Sequence, residues 1–309
     1  MADSFNVMET SYVTDEQKTF YERALLKRLV PNLVYAKYGQ KKILPKNEGA
    51  TINFRRFNEI EATVKPLEEG QSPRGVLISM SRYEAKLEQY GNFVAITDML
   101  DMTGIDPVLT DAAEALGETA GLTADTIVRN VICKGTNVQY AKGRESVDEI
   151  KADDVMTAAE IKKAVCTLRM KNAKPFEDGC FVGIIDPAVA FDLMDDPLWQ
   201  DVSKYNGGEA ILKGEIGKLC GVRFVETTNA PTQENDEEVD IHTCMILGQD
   251  AYGVVDLEGS GPEIIIKPVG SAGASDPLNQ RATVGYKLTF TAVRLNELAM
   301  IRVMCASAY

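Results

Sequence analysis

The residues able to do chemistry are few and badly spaced for it. The chain has a single histidine, His242, in the apolar run Ile241-His242-Thr243-Cys244-Met245. A Ser-His-Asp triad would have to use it, and no GxSxG nucleophile elbow is present. General acid–base work needs a positioned partner, and nothing in the local sequence supplies one. A lone histidine on a strand therefore reads as structural. The six cysteines, Cys133, Cys166, Cys180, Cys220, Cys244 and Cys305, form no CxxC, and HExxH is absent, so tight zinc-ligand spacing is missing. Scattered cysteines in a chain of 309 residues read as buried thiols rather than a disulfide framework.

Phosphate-binding loops fail in the same way. Gly217-Lys218 lacks both the earlier glycine and the following Ser/Thr of a Walker loop. Gly259-Ser260-Gly261 runs into Pro262, with Ile264 where a dinucleotide fingerprint needs its last glycine. The loop Gly270–Gln280, rich in small residues, has two readings: an anion cradle of backbone N–H groups, or a tight connection between strands. Acidic pairs stand at Glu68-Glu69, Asp153-Asp154, Asp195-Asp196 and Glu237-Glu238. Adjacent carboxylates do not converge on one point, and Asp153-Asp154 precedes a helical pattern where capping favours acids. The expectation is no catalytic residue, no cofactor and no metal site.

Composition bounds the class. Hydrophobic residues are 45% and charged residues 26% of the chain, with a formal net charge of −13. These values suit a globular protein with a sizeable core. So acidic a chain is repelled by free nucleic acid, which needs clustered Lys/Arg. No run approaches the roughly 20 apolar residues of a membrane span. The polar, acidic N-terminus lacks a basic start followed by an apolar stretch, so a secretory signal is not expected.

The elements around these residues follow from periodicity. Thr14 and Gln17 fit a capping box for a helix running to Leu29. Residues 33–48 read as extended chain. Thr51–Arg55 alternates polar and apolar, Val76, Ile78 and Met80 alternate again, and Phe93–Ile96 closes the unit. Between them lies the turn Glu68–Gly75. This predicts a two-stranded excursion over 51–98, with charged flanks and arms reaching about 50 Å at about 3.3 Å per residue. A lone hairpin of this kind is marginal in water and must lie on something else. The other reading is a longer sheet folded back on its own domain. Asp106-Pro107 opens a helix predicted over 106–133, on the order of 40 Å long. A second helix is predicted over Val155–Lys171. Strands are predicted at Cys180–Ile185, Gly221–Thr227, Ile241–Leu247, Tyr252–Leu257, Glu263–Val269, Tyr286–Leu295 and Ala299–Met304. A short helix follows Asp186-Pro187, and an acidic loop spans Thr232–Asp240.

In this order, the blocks Tyr35–Lys42 (YAKYGQKK), Thr51–Phe57 (TINFRRF), Leu67–Gly70 (LEEG), Gln89–Gly91, Gly221–Thr227 (GVRFVET) and Ser275–Arg281 (SDPLNQR) resemble the major capsid proteins of tailed double-stranded DNA bacteriophages. The likeness is to the Hong Kong 97-type fold, in its podovirus-type branch. It implies an α+β fold with an N-terminal arm (1–50), an extended loop (51–98), a peripheral domain (99–174 and 259–309) with spine helix 106–133, and an axial domain (175–258). It implies a non-enzymatic shell subunit that forms pentamers and hexamers around packaged DNA. A separate scaffolding protein and a portal protein would be its partners, and its place would be the virion, with assembly in the host cytoplasm. The hairpin residues Arg55, Arg56, Glu68, Glu69, Arg74 and Arg82 are the candidate intersubunit contacts, because mixed charges set register and partner choice. A shell protein of a bacterial cargo nanocompartment, which shares the fold, is the nearest alternative. A cytosolic α/β enzyme working around 270–276 is a more distant one.

Overall fold

A computed structural model describes residues 34–47, 49–58, 60, 62, 64, 66, 70, 75–99, 108–199, 215–257, 263–267, 270–271 and 276–309. Fourteen strands lie among the described residues. In chain order they are β1 (Gln40–Leu44), β2 (Thr51–Phe57), β3 (Met80–Lys86), β4 (Glu88–Thr97), β5 (Val138–Tyr140), β6 (Phe181–Ile185), β7 (Glu215–Leu219), β8 (Val222–Glu226), β9 (Thr232–Glu234), β10 (Asp240–Leu247), β11 (Tyr252–Leu257), β12 (Glu263–Lys267), β13 (Arg281–Arg294) and β14 (Met300–Cys305). Three α-helices join them: α1 (Val108–Ile132), α2 (Ala158–Met170) and α3 (Pro187–Asp195).

Two main sheets carry the body. The first is built around the 14-residue β13, which pairs with β4 along one edge and with β11 and β12 on the other; β1 then adds to β11 in parallel. The second runs β5-β14-β10-β6-β8-β7, with β9 on β10. The two sheets exchange strands: β11 follows β10 in the chain yet joins the first sheet, and β14 follows β13 yet joins the second. β6 and β10 read as nearly unbroken apolar runs because both of their faces are covered. Side chains alternate across the strand, so Val182, Ile184, Met245 and Leu247 enter one core, whereas Phe181, Ile185, Cys244 and Ile246 enter the other.

The first core is filled by α1. Its buried residues Ala113, Leu116, Ala120, Ala124, Val128 and Ile132 recur every three to four positions. They pack on Val284, Tyr286, Leu288 and Phe290, one face of β13. Gly117 and Gly121 do not break the helix; both are buried on the packed side, where small residues allow close approach to the sheet. The second core is covered by α2 and α3 through Ile161, Val165, Leu168, Val189 and Leu193.

Caps fix several of these ends. Asp186 accepts from Ala188 N at 3.2 Å and starts α3, as its Asp-Pro sequence predicts. α2 begins at Ala158, later than expected, and its first N–H donates to Asp196 Oδ2 at 2.9 Å. The pair Asp153-Asp154 consequently does not cap α2. Asp154 is buried instead, within 2.8 Å of Arg144 Nε and 3.1 Å of Lys142 Nζ.

The excursion over 51–98 is shorter than the sequence suggests. β2 pairs with β3 from Thr51↔Lys86 to Phe57↔Met80, and then β4 turns back to pair with β13 over ten residues. Burial explains the return: Ile96 is enclosed and Leu87 packs at the hairpin root. Strands β1, β5, β7 and β9 lack a strong alternating signal, and β9 lies inside the run read as an acidic loop. The expected helix from Thr14 to Leu29 and the cap at Asp106 lie outside the described residues.

Candidate intersubunit surface

The β2-β3 hairpin is fastened at its root by one ring. Phe54 is 2% exposed and packs with Leu44, Ala85, Val255 and Leu295. Gly253 makes room for it: a Cβ there would stand 2.6 Å from Phe54 Cζ. Lys42 Nζ sits 4.4 Å from the ring centroid on another side, a cation–π contact. Ile52, Phe54 and Arg56 point to the body side, opposite Ala85, Tyr83 and Ser81.

The alternate residues form the outward face. Along it run the cross-strand pairs Thr51–Lys86, Asn53–Glu84, Arg55–Arg82 and Phe57–Met80. Directly opposed residues bring their Cβ atoms within about 5.5 Å, and like charges in that position repel. Arg55 and Arg82 are both exposed, and among the described residues neither has an acidic partner within ion-pair distance. The structure therefore brings together two of the sequence-derived candidates and separates a third. Arg56 lies on the body side of the strand, by a cleft of about 340 Å³ that Arg55 and Phe57 also line together with Tyr83, Lys174 and Asp250. Glu68, Glu69 and Arg74 lie outside the described residues.

Sequence reasoning missed the apolar part of this surface. Phe57 is 69% and Leu77 95% exposed, with Val64, Val76 and Ile78 also open to solvent. Isolated exposed apolar residues are ordinary, but here they gather on one excursion next to an unpaired arginine row. Their signal was present as Val76-Leu77-Ile78, which alternation arguments treat only as strand.

The chemical candidates resolve as structure. His242 Nδ1 lies 3.2 Å from Asp186 Oδ2, the carboxylate that caps α3. The neighbouring thiol offers no nucleophile. Cys244 is buried, and its hydrogen bond to Cys305, with burial, pushes the thiol well above its ordinary range, so it stays protonated. Within the 270–280 loop, the buried Asp276 carboxylate accepts from Arg281 N at 2.8 Å. Residues 272–275, on which the anion-cradle reading falls, lie outside the described residues. No group of metal-ligating residues occurs among the described residues. The Asp154 carboxyl is pushed up by burial, but Arg144, the Lys151 N–H and Lys142 outweigh that and hold it at about 2.

The described residues thus form a body of two sheets with a charged and apolar two-stranded hairpin. Residues 82–303 match the family model described as phage capsid protein. The structure is similar to the capsid of Ralstonia phage GP4 (13% identity, TM-score 0.68, 89% of this chain and 88% of that one). It is similar also to the capsid of cyanophage Pam1 (14% identity, TM-score 0.67, 100% and 96%). A virus-like particle from Pyrococcus furiosus shares the fold more loosely (14% identity, TM-score 0.54, 92% and 98%). No curated protein sequence matches significantly. The chain belongs to the phage capsid protein family and is a major capsid subunit with the Hong Kong 97-type α+β fold. It is a structural protein of the virion capsid.

Proposed function

We propose that this subunit assembles into pentamers and hexamers of an icosahedral shell around double-stranded DNA, and that the β2-β3 hairpin lies on a neighbouring copy. The observation that carries the second part is the outward face itself. Arg55 and Arg82 repel one another within the chain, and Phe57 and Leu77 stand open beside them. A surface offering carboxylates next to an apolar patch relieves both costs at once. Arg56 joins the contact from the cleft side, and Glu68, Glu69 and Arg74 are further contacts in this reading. Many modest contacts of this kind become strong in a closed shell.

Residues 1–50 then form the arm, 51–98 the extended loop with its last strand, β4, returned to the body sheet, 99–174 and 259–309 the peripheral domain, and 175–258 the axial domain. Because the two sheets exchange β11 and β14, these domains are interlocked rather than serial. Assembly takes place in the host cytoplasm with a separate scaffolding protein and a portal protein. The net charge of −13 lets an inner wall hold the genome weakly. A shell for protein cargo is the second reading; the likeness to a virus-like particle fits a shell of either kind.

The test is double charge reversal, Arg55→Glu with Arg82→Glu. The expected result is a folded subunit that no longer forms shells. Normal shells from that variant by electron microscopy would remove the hairpin from the assembly contact. The ratio of ultraviolet absorbance at 260 and 280 nm in purified wild-type particles separates nucleic-acid contents from protein cargo.

A further inference from the structure

The two helices over the second core turn oppositely charged faces to solvent. α2 exposes Lys162, Cys166 and Arg169, spaced i, i+4 and i+7 on one stripe, with Lys163 and Met170 beside it. Met170 is 80% exposed. Between Asp186 and Trp199, the segment that holds α3 has four aspartates and no lysine or arginine. Its exposed side carries Phe191, Met194 and Asp195, with Leu198 just beyond the helix. Tyr309 sets its ring edge-on to Phe191, at 5.9 Å between centroids.

Neither face is accounted for within the chain. Among the described residues, Lys162, Arg169 and Asp195 have no ion-pair partner, and Lys163 reaches only Glu160, one turn back, at 3.8 Å. Arg169 lies in the last turn of α2, where the helix dipole favours a cation. The dipole does not explain Lys162 and Lys163 in the middle of the helix, or Met170. Single exposed apolar residues are ordinary, but Phe191, Met194 and Leu198 follow one another at helical spacing on one side. Asp196 Oδ2 accepts from Ala158 N at 2.9 Å, so the end of α3 is tied to the start of α2. The two faces are therefore held in a fixed relation to each other.

We propose that the α3 face of one copy docks on the α2 stripe of a second copy, as the contact that closes subunits into rings. The inference rests on the shell reading given above and names a contact separate from the hairpin. Charge selects the occupant. An acidic α3 face repels another α3 face, and a basic α2 stripe repels another α2 stripe, whereas each suits the other. Met170 then shares apolar area with Phe191 and Met194. The two surfaces differ, so the contact is heterologous, and repeated through one rotation it closes a ring. A ring uses each face once in every copy and leaves neither unpaired.

The test uses shells assembled in the host from the full chain carrying Met194→Cys, with the native Cys166 as its partner across the contact. Leu198→Cys takes its place if that variant does not assemble. A short bis-maleimide should link the two thiols into a ladder that reaches pentamers and hexamers on denaturing gels. Adding Cys166→Ser should abolish the ladder. A ladder that stops at dimers overturns the ring, and no ladder from intact shells overturns the contact. Met194→Cys with Cys166→Ser and Phe57→Cys probes the hairpin instead; a ladder from that variant would give the α3 face to the hairpin and overturn the proposal. Charge reversal is an independent reading. Lys162→Glu and Asp195→Lys, each alone, should cut shell yield at least about tenfold, and the two together should restore it. Unchanged yield in both single variants overturns the proposal. If the wild-type chain forms no shells at all, the shell reading fails, while the ladder from the free chain in solution still decides the α2–α3 contact.

Discussion

Replacing Phe54 by alanine tests how the hairpin is held. The ring is 2% exposed and meets Leu44 on β1, Ala85 on β3, Val255 on β11 and Leu295 beyond β13. Truncating an enclosed Phe costs about 3–5 kcal/mol, transfer and cavity terms together. The hairpin has only seven residue pairs, and an isolated two-stranded ribbon is at best marginal in water. The loss therefore exceeds what the hairpin can absorb, and the hairpin should detach before the body unfolds. In hydrogen exchange, the amides of Thr51–Phe57 and Met80–Lys86 should lose about two orders of magnitude or more of protection, since about 1.4 kcal/mol is tenfold. β10 and β13 should keep theirs, and the main thermal transition should move by only a few degrees. Shell formation should fail. Hairpin protection within about threefold of wild type would refute this account of the anchor. So would a global transition that falls in step with the hairpin, because the hairpin would then be part of the cooperative core.

Gly253→Ala should loosen the same anchor, because its Cβ would stand 2.6 Å from the Phe54 ring; combining it with Phe54→Ala should cost less than the two separately, as a double-mutant cycle of melting temperatures would show. Asp154 has a folded pKa of about 2, below its ordinary 3.8, so its stabilisation is complete above the ordinary value and is lost as pH falls toward 2. Asp154→Asn should lower stability at neutral pH and flatten that acid limb, as denaturant midpoints measured between pH 5 and 2 would reveal. Thiol labelling of the native chain should modify the exposed Cys166 quickly and leave the buried Cys244 and Cys305 untouched until unfolding.

Much of the body was legible in the sequence because it rests on strong periodicity. The apolar repeat on α1 carried through Gly117 and Gly121, and the Tyr252–Leu257 strand has the bounds its residues predict. The blocks from Tyr35 to Arg281 carried the family. Short strands escaped for a physical reason: β5 and β9 are three residues each, too short for a period, and are held by pairing to β14 and β10. The hairpin's extent was overread because Phe93–Ile96 looks equally like an arm or a core strand. Its pairing with β13 is a tertiary fact. Among the candidate contacts, sequence supplied Arg55, Arg56 and Arg82 but could not show that the register sets Arg55 against Arg82 and turns Arg56 away.

The most direct test is the structure of the assembled shell by electron cryomicroscopy, at a resolution that shows side chains. The account predicts Arg55 and Arg82 within hydrogen-bond reach of carboxylates on a different copy, with Phe57 and Leu77 covered by that copy. A hairpin lying against its own subunit, or standing free in solvent with both arginines unpaired, would contradict it.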